Sequence, residues 1–177
     1  MFFGKQLLRL NTNMKNTIKY LIFLTIWNVF LLNGQTNERI YKSFTDTTFE
    51  VGDKILAPTI HFTLGGGNRI YPKHYDSVQV IANFLASHPS FVVELGTHTD
   101  YRGSATYNES ISEKRAVQIK SLLIQKMGIK SERIEVKGYG EYDPVIPEEI
   151  IQQVETDFEK EKLHAINRRV EIKILKL

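Results

Sequence analysis

Two residues of opposite charge, Asp100 and Arg115, stand fifteen positions apart in a stretch crowded with polar groups. His98-Thr99-Asp100 closes an apolar run. Ser112-Glu113-Lys114-Arg115-Ala116 falls in the first turns of a predicted helix, and Asn108 lies between the two. An acid at a strand end and a base on a helix start form a ledge with separated charges. Such a ledge suits a zwitterionic ligand better than it suits a reaction, because each end meets a charge-assisted hydrogen bond. The same two residues could also be a structural ion pair bridging loop and helix. Asn108 reads as an amide that staples the loop, with ligand contact as a secondary role.

The catalytic alternatives are thinner. Asp100 with Glu113 or His98 offers an acid/base couple, but paired acids alone are a weak signal. The chain has no cysteine, which excludes thiolate catalysis, disulfides and a lipid anchor carried on cysteine. His98 beside Asp100 supplies metal-ligand types, yet His61, His74, His88, His98 and His164 are scattered without a His-x-x-x-His spacing. His98 is therefore expected to be scaffold, and no metal or other cofactor is expected. Ser110 and Ser112 have no histidine at a motif spacing, and helix capping explains them. The Gly65–Gly67 run lacks a following Lys-Ser/Thr and reads as a turn, not a phosphate loop.

The elements that must hold these residues are legible as periodicity. Ile60, Phe62 and Leu64 alternate with polar residues as a half-buried strand. Val78, Ile81, Ala82 and Leu85 recur at helical spacing up to Pro89. Phe91 to Leu95 is nearly all apolar, a central strand. A helix over roughly 109–127 follows, opened by a Ser110/Glu113 capping box, buried through Ala116, Ile119, Leu123 and Met127, and stopped by Gly128. Ile134 to Lys137 gives a third strand, ended by Gly138-Tyr139-Gly140. Pro147 to about Lys162 predicts an extra helix with Ile150, Val154 and Phe158 on one face. Val170, Ile172 and Ile174 alternate with Glu171 and Lys173 as the last strand. Of Arg168 and Arg169 before it, one is expected at the ligand end of the sheet and the other in solvent. The order β-α-β-α-β-(α)-β predicts an α/β sandwich, two main helices packed on a mixed four-stranded sheet.

Charge and hydropathy divide the 177 residues unevenly. Residues 1–35 hold Lys5, Arg9, Lys15 and Lys19 and no acid, so the remainder is close to neutral. The high sequence pI of about 9.0 thus belongs mostly to the leader and does not argue for nucleic-acid binding. The apolar run Tyr20 to Leu32 has the length of a signal h-region and falls short of the ~20 residues that span a bilayer. Residues 1–35 are expected to be an export signal, with Met14 an alternative start; left uncleaved, they would tether the chain to a membrane. Residues 36–53 read as an N-terminal arm and 54–177 as the folded domain.

In its wording the stretch His98 to Ala116 resembles the OmpA C-terminal-like family, of the OmpA, MotB and Pal type. The resemblance covers about residues 55–175. It adds Gly103, Tyr107-Asn108, Gly138-Tyr139-Gly140-Glu141 with Pro144, and Asn167-Arg168-Arg169-Val170-Glu171-Ile172 in the expected order. It implies non-catalytic binding of peptidoglycan through the zwitterionic end of diaminopimelate. Asp100 would face the ammonium and Arg115 the carboxylate, with Thr99, Asn108 and Arg168 as secondary contacts. It also implies a periplasmic or outer-membrane place in a Gram-negative-type envelope, anchoring the protein or an envelope protein partner to the wall. Thr97 stands where the family often has glycine, and 147–162 is longer and more acidic than the usual connection. A wall-metabolising enzyme and a protein-interaction module built on the 147–162 helix are the alternatives.

Overall fold

The computed structural model describes residues 41–63 and 67–177. The predicted leader, the first part of the arm, Leu64 and Gly65 lie outside the described residues. The elements are β1 (Lys54–Leu56), α1 (Tyr75–Ser87), β2 (Val92–His98), α2 (Ala105–Gln125), β3 (Ile134–Gly140), α3 (Glu148–Gln152), α4 (Asp157–Asn167) and β4 (Val170–Lys176). The sheet order is β1-β4-β2-β3, with β2 parallel to β3 and the other neighbours antiparallel. This is the mixed four-stranded α/β arrangement that the sequence predicts. Among the described residues no helix is long and apolar enough to cross a membrane.

The core follows from the periodicity. Val78, Ile81, Ala82, Phe84 and Leu85 of α1 and Ala116, Ile119, Leu122 and Leu123 of α2 are buried. They meet Val93 and Leu95 of β2 and Ile172 and Ile174 of β4. Each aliphatic side chain taken fully from water contributes roughly 1.5–3 kcal/mol. Residues 41–53 join this core through aromatics: Phe44 and Phe49 sit edge-on to Phe84, with ring centroids 5.5 and 5.4 Å away.

Four expectations need correction. Residues 60–63 do not form a strand of the sheet. Lys54–Leu56 takes the place beside β4, and Phe62 instead bridges Ile70 in a local antiparallel pair. The alternation of Ile60 and His61 reflects one side turned to the core and one turned out. The second helix starts at Ala105, capped by Ser104, whose hydroxyl accepts from the Tyr107 N–H. Ser110 is thus an exposed helical residue and not a cap. The strand β3 runs through Gly138-Tyr139-Gly140 instead of ending before them.

The predicted helix over 147–162 is two helices, α3 and α4, broken at 153–156. Thr156 caps α4 by accepting from the Glu159 N–H. The apolar stripe was misassigned as well: Ile151 is fully buried, whereas Phe158 is 70% exposed. A Thr with Glu three positions on is a helix-start signal in its own right, and it interrupts the longer pattern.

Gly138 fixes how α2 lies on the sheet. A Cβ there would stand 2.3 Å from the Glu113 N and 2.6 Å from the Ser112 Oγ. Helix and strand therefore touch backbone to backbone at this point. The contact is sealed by the Gly138 N–H donating to Glu113 Oε2 (2.6 Å) and the Gly140 N–H donating to Ser112 Oγ (2.9 Å). Glu113, an acid/base candidate by sequence, is committed to this seam.

Candidate functional site

The end of β2 and the start of α2 are tied together before any charge is placed. The Thr97 hydroxyl donates to the Ser112 carbonyl, and the Thr99 N–H donates to the Gly140 carbonyl at 2.8 Å. Gly103, at φ +112°, turns the chain toward α2 in a conformation that L side chains rarely adopt. Asn108 lies in the first turn of the helix and is buried. Its amide donates to the carbonyls of Asp100 (3.2 Å) and Arg102 (3.3 Å) and to the Glu141 carboxylate. Both Asn108 hydrogens are thereby spent on shaping the loop.

Asp100 is the hub of this loop. Its carboxylate accepts from Arg102 Nη2 and Arg168 Nη1, each at 2.6 Å, and from Arg102 Nε at 3.1 Å and the Arg102 backbone N–H at 3.2 Å. Burial alone would raise the Asp100 carboxyl. The hydrogen bonds from Arg102 and Arg168 outweigh it and hold the group below its ordinary value. The two guanidiniums are also bridged from α4: Glu161 accepts from Arg102 Nη1 at 2.9 Å and from Arg168 Nη2 at 2.6 Å. Asp100, Arg102, Glu161 and Arg168 therefore close a ring of alternating charges.

Arg115 stands apart from that ring. It is half-buried, its guanidinium lies 4.9 Å from the centre of the Phe62 ring, and Nε makes a long 3.4 Å hydrogen bond to the Gly67 carbonyl. Among the described residues no carboxylate is in ion-pair contact with it. Burial pushes the group down from its ordinary value, and the nearby Tyr107 and Asp100 only partly oppose this. Arg115 sits ten residues past Ala105, about 15 Å along the helix axis. The favourable field of the helix N-terminus, which fades within one turn, is not at hand there.

A cleft of about 610 Å³ joins these groups, lined among others by His61, Phe62, Arg102, Arg115, Glu161 and Arg168. Of the sequence-predicted residues, Arg115 and Arg168 line it directly. Asp100 stands behind two arginines, and Asn108 supports the loop. Thr99 is buried, and its hydroxyl has no hydrogen-bond partner. Sequence reasoning missed Arg102 and Glu161. The signal was present: Arg102 follows Asp100 by two, and Glu161 precedes Arg168 by seven, which is two helical turns and hence one face.

His98 borders the same cleft, but its contacts run to Tyr139 and Glu171. Its buried ring stacks on Tyr139 at 4.6 Å, and Nε2 stands 3.6 Å from Glu171 Oε2. Glu171 is 2% exposed, not solvated as its place in the strand pattern implied. Arg169 is drawn in with it, donating Nε to Glu171 Oε1 at 2.7 Å, so neither arginine of the pair is simply solvated. Lys54 Nζ (3.1 Å) and the Tyr41 hydroxyl complete the cluster. Burial would raise the Glu171 carboxyl, but His98, Tyr41 and Arg169 hold it well below the carboxylate range. Burial and the bond to Glu171 push the Tyr41 hydroxyl up to about 12. The ligand atoms of His98, Asp143 and Glu171 lie within 4.8 Å of one another. Arg169 and Lys54 already neutralise both carboxylates, which is a poor setting for a further cation.

The OmpA family profile matches residues 64–156. Outer membrane porin F of Pseudomonas fluorescens is 36% identical over 105 residues, which is 59% of this chain and 29% of that protein. The peptidoglycan-associated lipoprotein of Legionella pneumophila is 34% identical over 99 residues, 56% of this chain and 50% of that one. The chain thus spans half or less of the length of these relatives. Among solved structures, the periplasmic domain of Helicobacter pylori MotB superposes with a TM-score of 0.55 at 18% identity. That likeness in fold covers 73% of this chain and 86% of the other.

Proposed function

The chain is a member of the OmpA family, and from that premise we propose that it binds peptidoglycan without catalysis, anchoring itself or an envelope partner to the cell wall. The observation that carries this reading is Arg115, a half-buried guanidinium facing a cleft with no carboxylate of its own among the described residues. A planar fork of donors with no anion to grip is suited to a carboxylate brought by a ligand. The similarity to a peptidoglycan-associated lipoprotein supports the wall as its source.

The ligand end that fits is an amino acid in miniature, as in diaminopimelate. Its carboxylate meets Arg115, and its ammonium turns toward Asp100. The four contacts that Asp100 accepts fill roughly the four lone-pair positions of a carboxylate, so the ammonium gains access as the longer Arg102 Nε contact, at 3.1 Å, yields while the Nη2 contact at 2.6 Å stays. Arg168 then keeps Asp100 in place, Thr99 offers a spare hydroxyl, and Asn108 holds the loop. A periplasmic or outer-membrane location accords with the relatives' names, with residues 1–35 as the export leader. The acid/base candidates are not assembled for catalysis, because Glu113 caps Gly138 and His98 is stacked against Tyr139 beside Glu171.

A pulldown with purified sacculi tests the reading. Wild-type protein sediments with the wall, and Arg115→Ala and Asp100→Ala are retained on the order of ten- to a hundredfold more weakly, as the loss of a charge-assisted hydrogen bond requires. Equal retention of both variants would sink the proposed site.

A further inference from the structure

The ring around Asp100 contains a second seat for an anion. Arg102 Nη1 and Arg168 Nη2 converge on one carboxylate, that of Glu161, at 2.9 and 2.6 Å. The two guanidiniums are oriented by Asp100, whose side chain is 7% exposed, whereas the Glu161 side chain is 50% exposed at the solvent side of the ring. Asp100 is thus the fixed member and Glu161 the replaceable one. Both arginines and Glu161 line the same cleft as Arg115.

Building on the wall-binding reading, we propose that Arg102 and Arg168 form a second carboxylate seat, filled at rest by Glu161, which takes the C-terminal carboxylate of an uncrosslinked stem peptide. The charge count supports a ligand of this kind. Arg169 also lines the cleft but is matched by Glu171; the remaining Arg102, Arg115 and Arg168 carry three positive charges against two on Asp100 and Glu161. When Glu161 swings out, the cleft presents three guanidiniums to one fixed carboxylate. A zwitterion alone is neutral and leaves that excess standing, whereas a ligand with one ammonium and two carboxylates reduces it. A tripeptide ending in diaminopimelate has this charge pattern at that residue: an ammonium and a carboxylate at the free end, and a terminal carboxylate at the other. An extended stem has that terminal carboxylate converted into an amide, and a stem crosslinked through the free end has lost the ammonium instead. Glu161 then acts as a tethered competitor that keeps the seat neutral until the right anion arrives. Exchange at the seat is easy because the Glu161 side chain is half in water, where an ion pair is held only weakly.

Titration calorimetry with synthetic L-Ala-γ-D-Glu-meso-diaminopimelate and its C-terminal amide, on the full chain, decides the matter. The wild type binds the free acid about tenfold more tightly than the amide, the worth of one charge-assisted contact. Arg102→Ala removes that preference, and Glu161→Gln tightens the acid several-fold. Equal binding of acid and amide by the wild type, or no gain in Glu161→Gln, overturns the second seat. If Arg115→Ala still abolishes binding in that case, the wall-binding reading stands without it. No binding of either peptide by any variant overturns both.

Discussion

Two carboxylate–arginine clusters flank the start of β4, three residues apart in sequence. Around Glu171, the charges are matched and the central pair is dry: the side chains of Glu171 and Arg169 are 3% and 6% exposed, while Lys54 reaches toward water at 32%. Around Asp100, the carboxylate is equally dry at 7%, but Arg102 and Glu161 are half in water, and Arg115 nearby has no ion-paired acid among the described residues. The same chemical groups do different work in the two places. A saturated cluster with a dry centre fixes geometry, because removing any member leaves a buried charge behind. A cluster with a surplus guanidinium and an exposed member can exchange partners. Surplus and exposure, more than the presence of ionisable groups, mark the binding side.

The sharpest way to break this contrast is Glu171→Ala. It leaves Arg169 in a dry site with only the half-exposed Asp143, 3.4 Å away, to face it, and is expected to cost about 3 kcal/mol of folding stability, read from urea unfolding. A loss under about 1 kcal/mol would place the Glu171 cluster with the exchangeable one. The same carboxylate sets a pH dependence. Its folded-state pKa is lowered, so its stabilisation is fully present above the unfolded value near 4 and is lost as pH falls through the folded value. The stability gap between wild type and Glu171→Gln is therefore flat at neutral pH and narrows below about pH 4. A gap that widens in acid contradicts the assignment.

Arg115→Ala is the mirror experiment. Sacculus binding falls on the order of ten- to a hundredfold, while the unfolding midpoint stays near that of wild type, because the side chain has no described acid to strand. A large loss of stability would make Arg115 scaffold. The smallest effect is expected from Phe62→Leu, which removes the ring beneath Arg115. A cation–π contact contributes roughly 0.5–1 kcal/mol at partly exposed sites, so binding weakens by about two- to fivefold. No change in affinity would mean that Phe62 does not orient the guanidinium.

The strand–helix order and the apolar faces of α1, α2 and β4 were legible because burial imposes a period on the sequence. Asp100 and Arg115 were legible as residues worth attention, and Arg168 beside them, yet the ring that joins Asp100 and Arg102 to Glu161 and Arg168 was not. The contact of Asp100 with Arg168 spans 68 positions and that of Arg102 with Glu161 spans 59, distances over which local pattern carries no information. Glu171 misled for a different reason: an acid alternating with isoleucines looks solvated unless its buried cations are known. The first strand and the α3–α4 break were lost where a stronger local signal, the Ile60–Phe62 alternation or the 147–162 acidic run, outweighed the weaker one.

Tyr41 ties the start of the described chain to β4 through Glu171 and Arg169, and Arg168, one residue before Arg169, holds Asp100. If the cleft grips the wall, tension arriving from upstream of Tyr41 enters the domain three residues away from where it leaves. The Arg168 share of the pull is taken by neighbouring positions of β4 and its lead-in. Phe44 and Phe49 fasten the same N-terminal segment to α1, so the core helps to carry a load instead of standing outside it.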